Sequence, residues 1–327
     1  MTSSSTTKVS RLNRGRTKTL KPLRKKHSKE NWLESGQLWL MALLPVTLIF
    51  IFSYVPMYGI AIAFQDYVPG IPLLFDDRIN WVGFQWFERF VDSVYFTRLL
   101  RNTLFLNLLN LLFGFWTPII FALFLNEVHA IKFKRTVQTA SYMPYFLSNV
   151  VVVGMVLSFI QIDGIINNII DFFGGDRQVW ITKPDKFPMI YTIINVWKNF
   201  GFSSILYMST ISSIDPALYE SARIDGARRF QMMRYITLPG ILPTIAITLI
   251  MQVGSLLGSN ADLILLLYTS ATYRTADVFG TYIYRLGILD GQFSYTTAIG
   301  LMLAVVNFAL VFIANKISDR LTGFALW

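Results

Sequence analysis

Long apolar runs separated by short polar segments are the dominant pattern of this 327-residue chain. Six of them are near the twenty or so residues that an α-helix needs to cross a hydrocarbon core of about 30 Å. They cover residues 38–63, 103–126, 143–160, 187–212, 241–268 and 295–315. The third run is short, and polar residues interrupt the fourth and the fifth.

Backbone hydrogen bonding restricts how these runs fold. An unpaired backbone N–H or C=O group in lipid costs several kcal/mol, so a spanning segment forms either an α-helix or part of a closed barrel. Barrel strands alternate in hydrophobicity over about ten residues, whereas these runs are continuous and longer. We therefore predict an all-α integral membrane protein with six transmembrane helices.

Composition supports this prediction and locates the charge. Charged residues make up 15% of the chain, compared with about 25% in a soluble domain. Much of the net charge of +10 lies in the first thirty residues, which hold ten Lys or Arg and one acid. We predict that residues 1–35 are a disordered cytoplasmic tail that binds anionic lipid, and that residues 36–327 form the transmembrane domain. No folded basic face with aromatic residues accompanies the tail, which disfavours nucleic-acid binding.

Basic residues flank the predicted helices unequally. Both termini and the loops after the second and fourth helices lie on one side, which carries nineteen Lys or Arg. The opposite loops carry nine, mixed with eleven acids. Because Lys and Arg accumulate on the cytoplasmic side of membrane proteins, both termini are predicted to be cytoplasmic.

Several chemistries are disfavoured by the residues present. The first apolar run is too long for a cleaved signal peptide, so we expect it to remain in the mature protein. The chain has no Cys and only two His residues, which excludes disulfides and thiolate ligands. The acids between residues 163 and 185 lack the spacing of a calcium-binding loop. We predict no metal site and no catalytic residue.

A polar, charged segment, Tyr219 to Pro239, separates the fourth and fifth apolar runs. Asp225 and Gly226 mark a tight turn at its centre, because Gly accepts the backbone angles that such a turn needs. We expect Pro239 to end the second of two short helices before the fifth span begins. The pattern predicts two short helices that meet at the turn and offer a docking surface in the cytoplasm.

This segment resembles the EAA loop of ATP-binding-cassette importer permeases, in which Glu-Ala-Ala is followed by Gly and by a terminal Ile-x-Leu-Pro. The matching positions are Glu220, Ser221, Ala222, Asp225, Gly226, Ile236, Leu238 and Pro239. Ser221 stands where the family has Ala, which keeps the residue small. The resemblance implies a type I importer permease fold whose loop at 213–240 couples to a cytoplasmic ATPase. An ordinary cytoplasmic loop is the alternative, and the number of matching positions favours coupling.

Other fragments narrow the resemblance to carbohydrate importers. WVGFQWFERF and FTRLLRNTLFLN resemble the Val-Gly-Leu-x-x-Phe and Leu-x-Asn-Thr elements that precede the second span, with Phe84 in place of Leu. The fragments YMPYFLSNVVVVG, VWKNFGFSSILYMSTISSIDPALYE, VFGTYIYRLGILDGQFSYTTAIG and the terminal ALW resemble lipoprotein- or polysaccharide-type sugar permeases. The resemblance extends from about Trp39 to Trp327 and implies import of oligosaccharides.

The resemblance also implies an assembly in the cytoplasmic membrane of a prokaryote. Its other members are a second homologous permease, two copies of an ATP-binding subunit and an extracytoplasmic solute-binding protein. This chain has no Gly-x-x-x-x-Gly-Lys-Ser/Thr phosphate loop, so ATP and Mg are expected on the partner ATPase and no cofactor on this chain. The alternatives are the same architecture importing an amino acid, peptide or metal, or an ATPase-independent channel, scaffold or membrane enzyme. The lack of a clustered catalytic constellation disfavours the enzyme.

Polar residues inside two predicted spans are candidates for a sugar pathway, because each sugar hydroxyl that loses water needs a new hydrogen-bond partner. In the related maltose-type permeases, substrate contacts come from the later spans. The candidates are Trp197, Lys198, Asn199, Gln252, Ser255, Ser259, Asn260 and Asp262.

Alternatives for these residues remain open. The small residues of the fifth span either line the pathway or allow close helix packing. Lys198 either lines a cavity or forms an internal ion pair with Asp262. Asp262 itself either faces a watery cavity or lies nearer the outer interface than the predicted span suggests.

Overall fold

A computed structural model of the protein describes residues 29–258 and 260–326. Within these residues the chain is helical, and its β-type pairing is limited to an isolated bridge between Gln65 and Trp81. The predicted all-α fold class is confirmed. Internal contacts separate two units, one ending at Tyr58 and the other beginning at Gly59.

The first unit contains helix α1, Lys29–Ile49, the π-helical turn Phe50–Tyr54 that follows it, and the first residues of a 3₁₀ segment, Val55–Phe64. Residues 1–28, which hold most of the predicted tail, lie outside the described residues. Helix α1 includes residues 29–35, which the sequence analysis placed in the tail. This stretch, KENWLES, contains Lys, Glu and Leu, which favour a helix.

The second unit contains the remaining helices of the described chain. The first seven are α2 Gln85–Val91, α3 Val94–Leu109, α4 Trp116–Asn126, α5 Ile131–Tyr142, α6 Asn149–Ile160, α7 Ile165–Phe172 and α8 Phe187–Ser212. The next seven are α9 Pro216–Ile224, α10 Arg229–Met232, α11 Leu238–Gly254, α12 Ala261–Leu267, α13 Tyr273–Ala276, α14 Phe279–Ile283 and α15 Phe293–Thr322. Short π-helical or 3₁₀ segments lie at Asn110–Phe115, Met143–Phe146, Trp180–Thr182, Met233–Thr237, Ser270–Thr272 and Tyr284–Leu289.

Among the described residues, five helical segments are long and apolar enough to cross a membrane. They are Gly36–Phe64, Val94–Asn126, Asn149–Phe172, Arg229–Gly254 and Phe293–Thr322. Helix α8 matches the remaining predicted span, the fourth, with the predicted bounds 187–212. Its 26 residues correspond to about 39 Å at about 1.5 Å per residue, although Lys198 and several amides make it less apolar.

The fifth span differs from the prediction at both ends. One continuous helical segment runs from Arg229 through the π-helical turn to Gly254, and Pro239 lies in the first turn of α11 instead of ending a helix. The π-helical turn Met233–Thr237 directly before it already departs from the α-helical hydrogen-bond pattern, so the missing N–H of Pro239 does not end the helical segment. Beyond Gly254 the chain turns, and α12 is a separate helix, so the predicted span end at residue 268 is wrong.

The third predicted span, 143–160, is also divided differently. Residues 143–146 form a 3₁₀ turn, and Ser148 caps α6 by accepting a 3.3 Å hydrogen bond from the N–H of Val151. The chain leaves the helical conformation at Leu147 and Ser148, whose backbones are extended, so α6 begins only at Asn149. Helix α5 therefore packs as a separate element before the span.

Apolar side chains of the second unit form several clusters, and α8 contributes to two of them. Tyr191 and Ile194 pack in one cluster near the start of the helix, and Tyr207 and Ile211 pack in another near its end. Polar residues lie between these two clusters, in the middle of α8. We call the end of this unit that holds α9 and α10 the inner end and the opposite end the outer end, following the predicted orientation.

Candidate functional site

Helix α8 presents polar side chains to a cavity near its middle. Asn195, Asn199 and Ser203 follow one another at intervals of four residues, which places them on one helical face. A cavity of about 220 Å³ is lined by these three residues together with Asn110, Gly114, Val196, Phe200 and Gln252. Three separate helical segments therefore supply its polar groups.

Hydrogen bonds organise the amides of this cavity. The side-chain amide of Asn195 donates to Oδ1 of Asn110 at 3.0 Å. The amide of Asn199 donates to the backbone oxygen and to Oδ1 of Asn195, at 2.7 and 3.1 Å. An amide carries both donors and acceptors, so these groups match the hydroxyls of a sugar.

A second cavity of about 650 Å³ adjoins the first, with Gly114, Ser203 and Gln252 lining both. Aromatic side chains of Phe115, Phe202 and Tyr207 also line it. The hydroxyl of Tyr207 lies 3.0 Å from that of Thr248. We call the two cavities together the central cavity.

Two of the predicted pathway residues, Asn199 and Gln252, line the central cavity. The neighbouring Trp197 and Lys198 do not, because successive helical residues point in different directions. Lys198 Nζ instead donates to the side chain of Asn149, and Trp197 lines an apolar cavity of about 380 Å³.

The remaining candidates lie beyond the end of α11. Ser255 donates to the backbone oxygen of Gln252 at 3.0 Å, and Asn260 caps α12 by accepting from Leu263 N at 3.4 Å. Asp262 is exposed in the first turn of α12, where the helix dipole favours an acid. Ser259 lies outside the described residues.

The structure bears on the alternatives that were left open for Gly254, Lys198 and Asp262. Gly254 packs against Val311 of α15 and leaves no room there for a Cβ atom, so this glycine serves helix packing. The described side chains of Lys198 and Asp262 form no ion pair. Asp262 lies in α12, which is separate from the continuous helical segment Arg229–Gly254.

Sequence reasoning missed Asn110, Asn195 and Ser203. The four-residue spacing of Asn195 and Asn199 within a predicted span was the available signal. Asn110 comes from a different helical segment, at its π-helical turn. Its hydrogen bond to Asn195 joins residues 85 positions apart, and no local pattern indicates such a pairing.

The inner end contains the predicted turn between two short helices. Asp215 caps α9 by accepting a hydrogen bond from Ala217 N at 2.9 Å. Gly226 adopts a φ of 78°, in the left-handed region that favours glycine, and Ala227 N donates to the carbonyl of Ala222 at 2.9 Å. The turn therefore ends α9 and redirects the chain into α10.

Large apolar side chains of this segment are exposed. Ile224 is 87% exposed and Phe230 is 68% exposed. They lie beside exposed Glu220, Ser221 and Asp225. An apolar patch rimmed by polar residues marks a protein interaction surface. We call the exposed residues of α9, the turn and α10 the coupling surface.

A hydrogen bond connects α9 to the helical segment that follows the coupling surface. The hydroxyl of Tyr219 lies 3.0 Å from that of buried Thr237. Ile236 and Leu238 are half-buried beside Thr237, whereas Pro239 is exposed. Ile236 and Leu238 thus belong to the base of the long helix, and only part of their surface is open to a partner.

A buried carboxylate organises the outer end. Asp277 accepts hydrogen bonds from Arg98 at 3.3 Å, Arg285 at 2.9 Å and Thr281 at 2.8 Å. Burial opposes ionisation of Arg285, but the hydrogen bond and charge of Asp277 outweigh it and raise the pKa of Arg285. We call these four residues the outer ionic cluster.

The Asn and Thr of the Leu-x-Asn-Thr element hold this cluster in place. Asn102 donates to the backbone oxygens of Arg274 and Asp277 at 3.1 and 3.0 Å. The hydroxyl of Thr103 accepts from Phe279 N at 3.3 Å. The element therefore fastens α3 to the segment that begins α14.

The described residues contain no group of three His, Cys, Asp or Glu side chains that could hold a metal ion. The polar groups at the centre of the unit are amides and hydroxyls. Amides and hydroxyls of this kind can exchange hydrogen bonds with a polar solute.

Residues 114–323 match the family model described as "Binding-protein-dependent transport system inner membrane component". The chain belongs to this family of ABC transporter permeases. It is a multi-pass membrane protein of the type I importer permease fold.

Relatives of known name support the carbohydrate branch. The polygalacturonan/rhamnogalacturonan transport system permease protein YteP of Bacillus subtilis is 40% identical over 88% of this chain and 89% of its own length. Protein LplB of the same organism is 41% identical over 86% of this chain and 89% of its own. A chain from a bacterial ABC transporter that imports the acidic polysaccharide alginate is 43% identical, with a TM-score of 0.80 over 90% of this chain and 97% of that one.

Proposed function

We propose that this protein is one of two permease subunits of an ATP-driven importer that carries oligosaccharides across the cytoplasmic membrane of a prokaryote by alternating access. The observation that carries the proposal is the central cavity, where amides, hydroxyls and aromatic faces from three helical segments meet. These groups replace water around a sugar and stack on its ring. The names of the relatives support a sugar over a peptide, amino acid or metal.

The residues that would contact the sugar are those that line the cavity. Asn199 and Gln252 keep the role that the sequence suggested, and Asn110, Asn195 and Ser203 join them. We place Lys198 and Asp262 outside this contact, because neither lines the central cavity. A pathway of neutral amides binds each hydroxyl weakly, which suits a solute that has to leave again.

The continuous helix from Arg229 to Gly254 provides the mechanical link. Its first residues belong to the coupling surface, and Gln252 near its end lines the central cavity. Because Pro239 does not interrupt the helix, movement at α10 carries Gln252 with it. Alternating access is then a shift between two packings of rigid elements.

The proposed importer contains several partner proteins. We propose that two copies of a cytoplasmic ATPase, which hold ATP and Mg, bind the coupling surfaces of this chain and of a second, homologous permease. Ile224 and Phe230 supply apolar contact area, and Glu220 and Asp225 provide the polar rim. An extracytoplasmic solute-binding protein delivers the sugar to the outer end.

Copurification tests this proposal. The protein is tagged and gently solubilised from its native membrane as the wild type, as Gly226→Asp and as a matched control, Gly291→Asp. Both glycines have positive φ, 78° and 70°, with open space around them, but only Gly226 lies on the coupling surface. Asp tolerates this backbone region better than most residues, so the change tests added bulk and charge at a contact.

Mass spectrometry identifies the bound proteins. We expect the wild type and Gly291→Asp to retain an ATPase and a second permease, and Gly226→Asp to lose the ATPase. Recovery of the wild-type chain alone, or as an ATPase-free oligomer, would favour the channel or scaffold instead.

A further inference from the structure

A second polar cavity lies at the outer end of the bundle, separate from the central cavity. It has a volume of about 410 Å³ and is lined by Arg101, Asn102, Phe105, Pro188, Arg274 and Thr275. We call it the outer basic cavity. Both of its charged side chains are arginines.

These two arginines have no carboxylate partner. The ion pairs of the described residues include Arg98 and Arg285, which share Asp277, but neither Arg101 nor Arg274. Nη2 of Arg101 only approaches neutral oxygens of Arg274 and Asn102, each at 3.4 Å. Two like charges on one cavity repel each other, and an anion between them would relieve that repulsion.

The surrounding surface is not generally basic. The predicted outer loops contain more acids than basic residues, eleven against nine. The two arginines of the outer ionic cluster, Arg98 and Arg285, instead share the carboxylate of Asp277 at close range. A pair of arginines without a carboxylate is therefore a local feature of this cavity.

The cavity is held in shape by hydrogen bonds. Asn102 donates to the backbone oxygen of Arg274 at 3.1 Å, and the hydroxyl of Thr275 donates to the backbone oxygen of Pro184. Asp277, three residues after Arg274, is held by the hydrogen bonds of the outer ionic cluster. The backbone that carries Arg274 is thus fixed on both sides, so less entropy is lost when the guanidinium binds a ligand.

The cavity is aligned with the central cavity along α8. Pro188 precedes Asn195 by seven residues and Asn199 by eleven, so all three lie on one helical face. At about 1.5 Å per residue, Pro188 is about 10 Å from the first amide and about 16 Å from the second along the helix. Half-exposed Phe105 adds an apolar surface for a sugar ring.

We propose that the outer basic cavity binds the carboxylate of an acidic oligosaccharide at the entrance of the pathway. This inference rests on the proposed function and adds the substrate class, a chain containing uronic acid units. A guanidinium binds a carboxylate through two parallel hydrogen bonds, which a neutral sugar cannot form. The neutral amides deeper in the protein then bind the hydroxyls of the same chain.

Uptake in proteoliposomes tests the inference. The complete transporter, with its ATPase and binding protein, is reconstituted as the wild type, as Arg101→Gln/Arg274→Gln and as the corresponding double Lys variant. The control is Arg177→Gln, an outer arginine that pairs with Asp163 and Asp171 away from this cavity. The substrates are trimers to hexamers of galacturonate and of mannuronate, and the same sugars with their carboxyls reduced to alcohols.

We expect the double Gln variant to import the acidic sugars at least tenfold more slowly at low substrate concentration and the reduced sugars within twofold of the wild type. The double Lys variant recovers part of the acidic uptake, and Arg177→Gln retains all of it. Equal losses for acidic and reduced sugars would overturn the inference and indicate docking of the binding protein instead. Unchanged acidic uptake would also overturn it.

Uptake by the wild-type transporter distinguishes a failure of this inference from a failure of the proposed function. If it imports only the reduced sugars, the acidic class is wrong but oligosaccharide import stands. If it imports no oligosaccharide, the proposed function fails and the inference fails with it. Size-exclusion profiles of every variant verify that the transporter has assembled.

Discussion

The two ends of the second unit are built in opposite ways. At the outer end, a buried carboxylate joins two arginines and a threonine, and Asn102 fastens the backbone around it. At the inner end, one hydroxyl pair ties α9 to the long helix, while Ile224 and Phe230 remain exposed. The outer end is stabilised within the chain, whereas the inner end has apolar surface left for a partner. We infer that the inner end completes its packing only in the assembly.

The largest effect is expected from the outer ionic cluster. Asp277→Ala removes the acceptor of two guanidinium groups. Breaking a fully buried ion pair costs about 3–5 kcal/mol, and because both arginines are partly exposed we expect a loss of about 2–3 kcal/mol of stability. The thermal transition of the solubilised protein measures this loss.

Asp290→Ala is the matched control for that change. Asp290 is an exposed acid of the same outer region and forms no ion pair among the described residues. Its removal should leave the transition unchanged. Equal transitions for Asp277→Ala and Asp290→Ala would contradict the description of the outer end.

A smaller effect on folding but a strong effect on assembly is expected at the inner end. Ile224→Asp places a charge in the apolar part of the coupling surface, and residues central to an interface contribute about 2 kcal/mol or more. We expect ATPase binding to weaken by about thirtyfold, with an unchanged thermal transition of the isolated chain. Titration of the purified permease with its ATPase measures the affinity.

Ile288→Asp controls for a new surface charge. Ile288 is also a highly exposed isoleucine, but it lies in the π-helical segment after α14, at the outer end. It should bind the ATPase like the wild type. If both variants bind equally well, the coupling surface lies elsewhere.

A still smaller effect is expected in the central cavity, which lies between the two ends. Asn199→Leu and Gln252→Leu each remove groups that would hydrogen-bond the sugar, and one such bond contributes about 0.5–1.5 kcal/mol. Uptake at low substrate concentration should fall by about two- to tenfold while the assembly remains intact. Ser255→Ala, beyond the end of α11, should transport normally, and equal loss in all three variants would argue against this cavity as the pathway.

The smallest effect is expected from Lys198→Ala. Lys198 bonds to Asn149 and lies outside the lining of the central cavity. Uptake should stay within about twofold of the wild type, because one side-chain hydrogen bond between two helices is lost. A tenfold loss of uptake with normal assembly would indicate that Lys198 is part of the sugar pathway.

The same contrast explains what the sequence could predict. The inner turn was predictable because it depends on local chemistry: Asp225 and Gly226 end one helix and start the next within a few residues. The central cavity was only half predictable. Asn199 and Gln252 were visible as polar residues in apolar runs, but Asn110 joins them through a contact between distant segments.

The course of the fifth span was wrong for a related reason. Pro239 was expected to end a helix, yet the helical segment continues through it after a π-helical turn. A single residue does not reveal whether it begins a helix or ends one when a π-helical turn precedes it. The continuous helix that results joins the coupling surface to the cavity.

Rigidity of that helix is the central claim, and a distance measurement tests it directly. The chain has no Cys, so spin labels at Tyr235→Cys and Met251→Cys, both at exposed positions, are the only labels on this subunit. Sixteen residues separate them, or about 24 Å along a helix. A second pair, Tyr235→Cys and Ile288→Cys, joins the helix to the outer end.

The distances are measured in the assembled transporter with and without ATP. The account predicts that the distance from residue 235 to residue 251 stays constant while that from residue 235 to residue 288 changes. A change in the first distance as large as that in the second would show that the helix bends at Pro239 or beyond, and would contradict rigid coupling between the ATPase contact and the sugar pathway.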